Sequence, residues 1–186
     1  MRLFLALELP EEERRRLAQY PLRREWFGFG EGVKAVRPEN LHVTLKFLGD
    51  VADENVDQVR GTLEKVTLPE PIQLRTAGVT FFPPRGPIRV FVALLEGDLD
   101  RLVALHSRIE AALEPLGFAR EERPFTPHVT LARAARERGI NPAGRTLVAD
   151  SPPAPGEPFQ VRSFVLFQSH LKPGGPEYVP LAHFGG

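Results

Sequence analysis

Two short stretches of this chain place the same pair of reactive side chains at the same spacing: His42-Val43-Thr44-Leu45 and His128-Val129-Thr130-Leu131. On a strand, successive side chains point to opposite faces, so His42 and Thr44 share one face while Val43 and Leu45 share the other. The same holds for His128 and Thr130. An imidazole with an ordinary pKa of about 6.5 can be neutral or protonated around neutral pH, so two of them can act as general base and general acid in one step. A threonine hydroxyl two residues on can donate a hydrogen bond to an oxyanion, such as a phosphate oxygen, held between the rings. A single His-x-Thr on a strand ordinarily reads as a core histidine satisfied by a cross-strand threonine. Two copies reverse that reading, because purely structural strands would select apolar residues there and not His and Thr twice.

Neither motif has a third His, Asp or Glu at ligand spacing and the chain has no cysteine, so the expected chemistry uses neither metal nor cofactor. Lys46 shares the face of His42 and Thr44 by strict alternation and is a candidate phosphate contact. Arg133 follows the second motif, but alternation turns it away from His128; only a twist or bulge at the strand end would bring it back. His106 falls within a helical pattern, while His170 and His183 fall near strand ends. Solvent exposure or capping accounts for all three. Phe4, Phe47 and Trp26 could stack on a base, although core packing is the expected role of both phenylalanines.

The elements that must position the motifs are written twice. Arg2-Leu-Phe-Leu-Ala-Leu7 recurs as Arg89-Val-Phe-Val-Ala-Leu94, an offset of 87 residues. Arg37-Pro38 matches Arg123-Pro124, the two His-Val-Thr-Leu stretches match each other, and Pro71-Ile-Gln-Leu-Arg-Thr76 matches Pro158-Phe-Gln-Val-Arg-Ser163, all in the same order. The expected organisation is one domain over 1–186, built from two lobes that span roughly 1–87 and 88–186. Each half opens with an apolar strand followed by helical periodicity, over 11–20 in the first and 98–113 in the second. In the second, Leu99, Leu102, Val103, Leu105, Ile109 and Leu113 form the apolar stripe. A further helix over 53–66 has a shorter, proline- and glycine-broken counterpart over 139–149. Strands are expected over 33–36, 41–48, 72–82, 88–95, 127–133, 159–170 and 178–182, with rim turns at 82–87 and 150–158. This is an α+β chain with mainly antiparallel sheets lining a central groove and helices outside.

The 24 basic and 24 acidic residues balance, so no global positive field drives binding along nucleic acid; any such contact must be local. The lack of cysteine excludes disulfides and thiol nucleophiles and fits a cytoplasmic protein. The longest apolar runs are strand-sized, so neither a signal peptide nor a membrane span is expected.

Three stretches carry a specific resemblance: 2–10, Val36-Arg-Pro-Glu-Asn-Leu-His-Val-Thr-Leu-Lys-Phe-Leu-Gly49, and Phe125-Thr-Pro-His-Val-Thr-Leu-Ala-Arg133. With the ending from Phe167 through Tyr178, the chain resembles the two-histidine phosphoesterases over essentially its whole length. Among them it is most similar to the bacterial and archaeal RNA 2′,3′-cyclic phosphodiesterases, historically called 2′-5′ RNA ligases. The resemblance implies a bilobal α+β fold around a water-filled groove, with His42 as proton donor, His128 as proton acceptor, and Thr44 and Thr130 on the phosphate. Arg133 occupies the position of the family's arginine after the second motif. The implied partner is RNA with 2′,3′-cyclic phosphate ends, such as tRNA fragments, and the expected product is a 2′-phosphate, with 2′-5′ ligation as the permitted reverse reaction. A monomer is expected. The motifs do not choose among cyclic phosphates, so another cyclic phosphate or a 2′-5′ linkage is an alternative substrate, and non-catalytic binding of RNA ends an alternative function.

Overall fold

The computed structural model describes residues 1–20, 33–68, 70–134 and 154–185. Trp26, the shortened counterpart over 139–149 and residues 150–153 of the 150–158 turn lie outside them. The described strands and helices run β1 (Arg2–Glu8), α1 (Glu11–Ala18), β2 (Val33–Ala35), β3 (His42–Asp50), α2 (Val56–Leu63), β4 (Ile72–Phe82), β5 (Val90–Gly97), α3 (Leu99–Leu113), β6 (His128–Ala134), β7 (Phe159–Val161), β8 (Phe164–Lys172) and β9 (Gly175–Phe184). No helix among these residues is long and apolar enough to cross a membrane.

All recorded strand pairs are antiparallel, in one sheet ordered β7-β4-β5-β6-β3-β1-β8-β9, with β2 also on β6. The expected α+β class and antiparallel pairing are what the chain adopts. The order is symmetric about the junction of β3 and β6: β1 flanks β3 as β5 flanks β6, and β8 lies beyond β1 as β4 lies beyond β5. The two arms are not the two halves of the sequence, because β4 pairs with β5 of the second repeat and β8 with β1 of the first. The single strand expected over 159–170 is accordingly broken. β7 crosses to pair with its own repeat-mate β4, Gln160 opposite Gln73, while β8 pairs with β1 and β9.

Pairing also corrects the repeat's offset. Leu7 pairs with Val43 and Ala93 with Val129; Phe4 pairs with Phe47 and Val90 with Arg133. The structural offset is therefore 86 along β1 and β5 as well as along β3 and β6, one less than the matched letters 2–7 and 89–94 suggest. A slip of one residue exchanges the faces of a strand. Phe4 thus lies on the groove side with Ala6, Val165 and Phe167, whereas Phe91, its match by letters, is fully buried in the main core.

That core fills the other side of the sheet, where Leu3, Leu5, Leu7, Val43, Leu45, Phe91, Val129 and Leu131 meet the buried sides of the helices. Fully burying each such side chain contributes about 1.5–3 kcal/mol. On α3 the buried face is Leu102, Leu105, His106, Ile109, Glu110 and Leu113. Val103 is 41% exposed, because it sits off the line through 102, 106, 109 and 113 that one helical face provides. His106 is therefore buried rather than solvated, with its ring stacked on Phe125 at 4.1 Å.

Lys46 is the main correction to the expected site. It is 2% exposed and turned into the core side, where Nζ donates to Glu110 Oε1 at 2.7 Å and to the Ala119 carbonyl at 2.8 Å. The cause is a β-bulge: Ala6 pairs with Thr44 but Leu5 with Lys46, so Leu45 is an extra residue and alternation restarts after it. Glu110 also accepts from the Glu121 backbone N–H, which ties β3 and α3 to the segment leading into β6. Removing one partner of a buried pair strands the other charge, whereas replacing both with apolar groups need not destabilise. Lys46→Met should accordingly cost about 3–5 kcal/mol in a denaturant titration, and the Lys46→Met/Glu110→Leu double variant should regain most of that. A double variant as unstable as the single would refute the account of the pair.

Candidate active site

β3 and β6 meet at one recorded residue pair, Val43 opposite Val129. These two valines hold equivalent positions in the repeat, so the strands are related by a local two-fold. Antiparallel register sets His42 beside Thr130 and Thr44 beside His128. The valines face the core, and the two histidines and two threonines, each half-buried, lie together on the opposite face.

The rings are held in the same way. His42 Nδ1 donates to the Asn40 carbonyl and His128 Nδ1 to the Thr126 carbonyl, each at 2.7 Å and each two residues back. A carbonyl only accepts, so Nδ1 carries the proton in both rings and Nε2 is left for chemistry. The Thr44 hydroxyl donates to His42 Nε2 at 2.9 Å. Asn40 reaches its place through the 3-10 turn Pro38–Asn40, and its Nδ2, with an Arg37 nitrogen, donates to the Pro176 carbonyl, both at 2.7 Å. The β8–β9 turn is thereby clamped over the first motif.

Aromatic rings pack against both imidazoles. Phe4 lies 5.1 Å from His42, Tyr178 of β9 meets His42 edge-on at 5.4 Å, and Phe82 meets His128 edge-on at 5.6 Å. Burial pushes the Tyr178 phenol up, so it stays an uncharged hydroxyl.

Arg133 does reach this face, and the second motif repeats the device that removed Lys46 from it. Val92 pairs with Thr130 but Phe91 with Ala132, so Leu131 is the extra residue, as Leu45 is in β3. The bulge turns Arg133 and, in β3, Phe47 toward the groove, and turns Lys46 and its counterpart Ala132 to the core. Phe47 is 60% exposed, not a core residue. His42, Arg133, Pro176 and Tyr178 divide the groove into two cavities. One, about 390 Å³, is lined by Phe4, Phe47, Leu171 and Arg2; the other, about 270 Å³, by Lys34, Arg37 and Thr130. His170 and His183 line neither cavity. Asn40, Tyr178 and the two basic residues Lys34 and Arg37 were missed in the sequence reading. The match of Arg37-Pro38 to Arg123-Pro124 was the signal that could have found Asn40, since it sets Asn40 against Thr126. No group of three or more metal-ligating side chains occurs among the described residues.

Burial above all, opposed by the bond to the Asn40 carbonyl and aided by the charges of Arg133 and His128, brings the His42 pKa down to about 4. With that value the ring is neutral at pH 7. The folded value lies below the ordinary 6.5, so stability from keeping His42 neutral is full above 6.5 and is lost as pH falls through about 4. Removing a nearby cation must raise the value. In an NMR titration of the free protein, His42 should titrate near 4 and move upward in Arg133→Met; an unmoved value would separate Arg133 from the ring.

The 2′-5′ RNA ligase superfamily pattern matches residues 18–173. An Archaeoglobus fulgidus protein named RNA 2′,3′-cyclic phosphodiesterase is 37% identical over 186 residues, 99% of each chain. A Thermus thermophilus protein of the same name is 35% identical over 189 residues, covering 99% of this chain and 89% of its own. Among solved structures, one from Thermus thermophilus superposes with a TM-score of 0.77 at 32% identity, covering 99% and 97% of the two chains. Escherichia coli LigT, solved with 3′-AMP, gives 0.78 at 27% identity, covering 98% and 96%.

Proposed function

The chain belongs to the 2′-5′ RNA ligase superfamily, and on that premise we propose that it is an RNA 2′,3′-cyclic phosphodiesterase whose acid–base pair is His42 and His128. The observation that carries this reading is the identical tethering of the two rings on strands that pair at Val43 and Val129. It presents two Nε2 atoms, with a threonine beside each, to one anion between them.

In the proposed reaction the cyclic phosphate lies between the rings and accepts hydrogen bonds from Thr44 and Thr130, which requires the Thr44 hydroxyl to turn from His42 Nε2 to the phosphate. Nε2 of His128 takes a proton from water as the water oxygen bonds to phosphorus. The bond from phosphorus to O3′ breaks, and Nε2 of His42 gives its proton to that oxygen, leaving a 2′-phosphate. Departure of O3′, and not O2′, follows from the family resemblance; the near two-fold symmetry of the motifs alone permits either. As donor, His42 must be protonated when substrate is bound. The incoming anion supplies the reason, because a negative charge beside a desolvated ring raises its pKa and offsets the Arg133 field. Hydrolysis dominates in water, and an RNA 5′-hydroxyl in place of water gives the reverse, ligating reaction. The residues imply no metal, and the proposal places this cysteine-free chain in the cytoplasm, acting as a monomer on RNA ends such as tRNA fragments.

An RNA ending in a 2′,3′-cyclic phosphate, incubated with the protein in excess EDTA, should yield a 2′-phosphate by phosphorus NMR. Replacing His42 or His128 with Ala should slow this by about 10²–10⁴ in variants whose circular dichroism is unchanged. Metal-dependent turnover or full activity in either variant would overturn the mechanism, and a 3′-phosphate would overturn the ribose orientation. Binding of a nucleoside 2′-phosphate should raise the His42 titration above its free value of about 4; no rise would argue against His42 as donor.

A further inference from the structure

Several cations of the described residues are paired with acids. Arg75 stands directly opposite Glu96 across β4 and β5 and bonds to it at 2.7 Å, Arg101 meets Glu70, and Arg120 meets Glu114. The groove instead sets two cations against each other. Lys34 on β2 stands directly opposite Arg133 on β6, and like charges directly opposite in an antiparallel pair repel. Neither has an ion-pair partner among the described residues, and no carboxylate of those residues lines the cavity that both enter. Arg37 adds a third positive charge at its rim, with one nitrogen on the Pro176 carbonyl and Nε 3.4 Å from Glu39. The turn at Gly175 closes over the lysine: a Cβ at that position, which has φ +116°, would lie 3.7 Å from Lys34 Nζ.

Uncompensated charge of this kind is a standing cost to the fold unless an anion offsets it. The scissile phosphate is not that anion for Lys34, because it sits between the histidines, and the cavity continues past His42 and Thr130 to the lysine. In RNA that ends in a 2′,3′-cyclic phosphate, the next phosphoryl group along the chain is the one on the 5′ oxygen of the terminal nucleoside.

We propose that Lys34, opposite Arg133, forms a second anion subsite that takes the phosphoryl group on the 5′ oxygen of the nucleoside whose cyclic phosphate is opened. The proposal rests on the cyclic phosphodiesterase reading and adds to it a requirement for a second phosphate. That phosphate is either the internucleotide diester of an RNA or the 5′-phosphate of a mononucleotide.

Three substrates test it: adenosine 2′,3′-cyclic phosphate, the same nucleoside with a 5′-phosphate, and a diadenosine dinucleotide ending in the cyclic phosphate. The protein should prefer one or both phosphate-bearing substrates by about tenfold in kcat/KM, the effect of one charge-assisted hydrogen bond. Preference for the dinucleotide alone identifies the diester as the group recognised, and preference for the monoester alone identifies the 5′-phosphate. In Lys34→Met, which keeps the length of the stem, that ratio should fall toward one, and in Lys34→Arg it should be retained. A ratio near one in the unaltered protein, or a ratio unchanged in Lys34→Met, would overturn the subsite while leaving the activity standing. Failure to turn over any of the three would overturn the activity on which it rests.

Discussion

The pairing of Val43 with Val129 is the constraint on which the rest of the molecule depends. Two copies of one strand meet antiparallel at equivalent residues. Whatever lies one position to either side of the valine is therefore brought face to face with its own copy's partner. A shift of one residue in either strand would send one histidine into the core and one valine into solvent, so the apolar packing beneath the junction also enforces the alignment of the chemistry above it. The cost of misplacing Val43 or Val129 is paid in core burial, and the histidine face inherits that precision.

The paired bulges at Leu45 and Leu131 extend the same logic. Each strand must present a histidine and a threonine to the groove, then return two successive residues to the core. After the bulge the copies diverge. The first repeat presents an aromatic ring, Phe47, to the groove and the second a cation, Arg133; behind them stand a buried lysine paired with Glu110 and a buried alanine. Duplication supplies the symmetric pair on which the proposed acid–base chemistry rests, and divergence just beyond it gives the two sides of the groove different linings. Burial beneath Phe4 and Tyr178 also holds the His42 pKa low, which favours its neutral form.

The His-x-Thr faces were legible in the sequence because a period of two is short and survives from His42 to Leu45 without a break. Lys46 and Arg133 were misjudged for one reason: strict alternation was carried past Leu45 and Leu131, and a bulge leaves no mark in a run of apolar letters. The offset along β1 failed similarly. Arg-Leu-Phe-Leu-Ala-Leu and Arg-Val-Phe-Val-Ala-Leu align best at 87, but β1 and β5 are apolar at nearly every position, so neither composition nor burial opposes a slip of one. Only the pairing partners reveal it. On α3, counting hydrophobic letters brought in Val103 and passed over His106 and Glu110, which share the buried face because their partners are a ring and a lysine from other elements. Asn40, Tyr178 and Lys34 come from a turn, the last strand and an edge strand, and long-range contacts of that kind have no local signature.

The central claim is that His42 and His128 work as one unit on a single phosphate, and the most direct test is a double-mutant cycle on turnover of a cyclic-phosphate RNA. The rates of His42→Ala, His128→Ala and the double variant are measured at one pH in protein shown to be folded. Because groups that act in one step are not additive, the double variant should be scarcely slower than the slower single variant. A double variant whose loss equals the product of the two single losses would mean that the rings act independently, and would contradict the account.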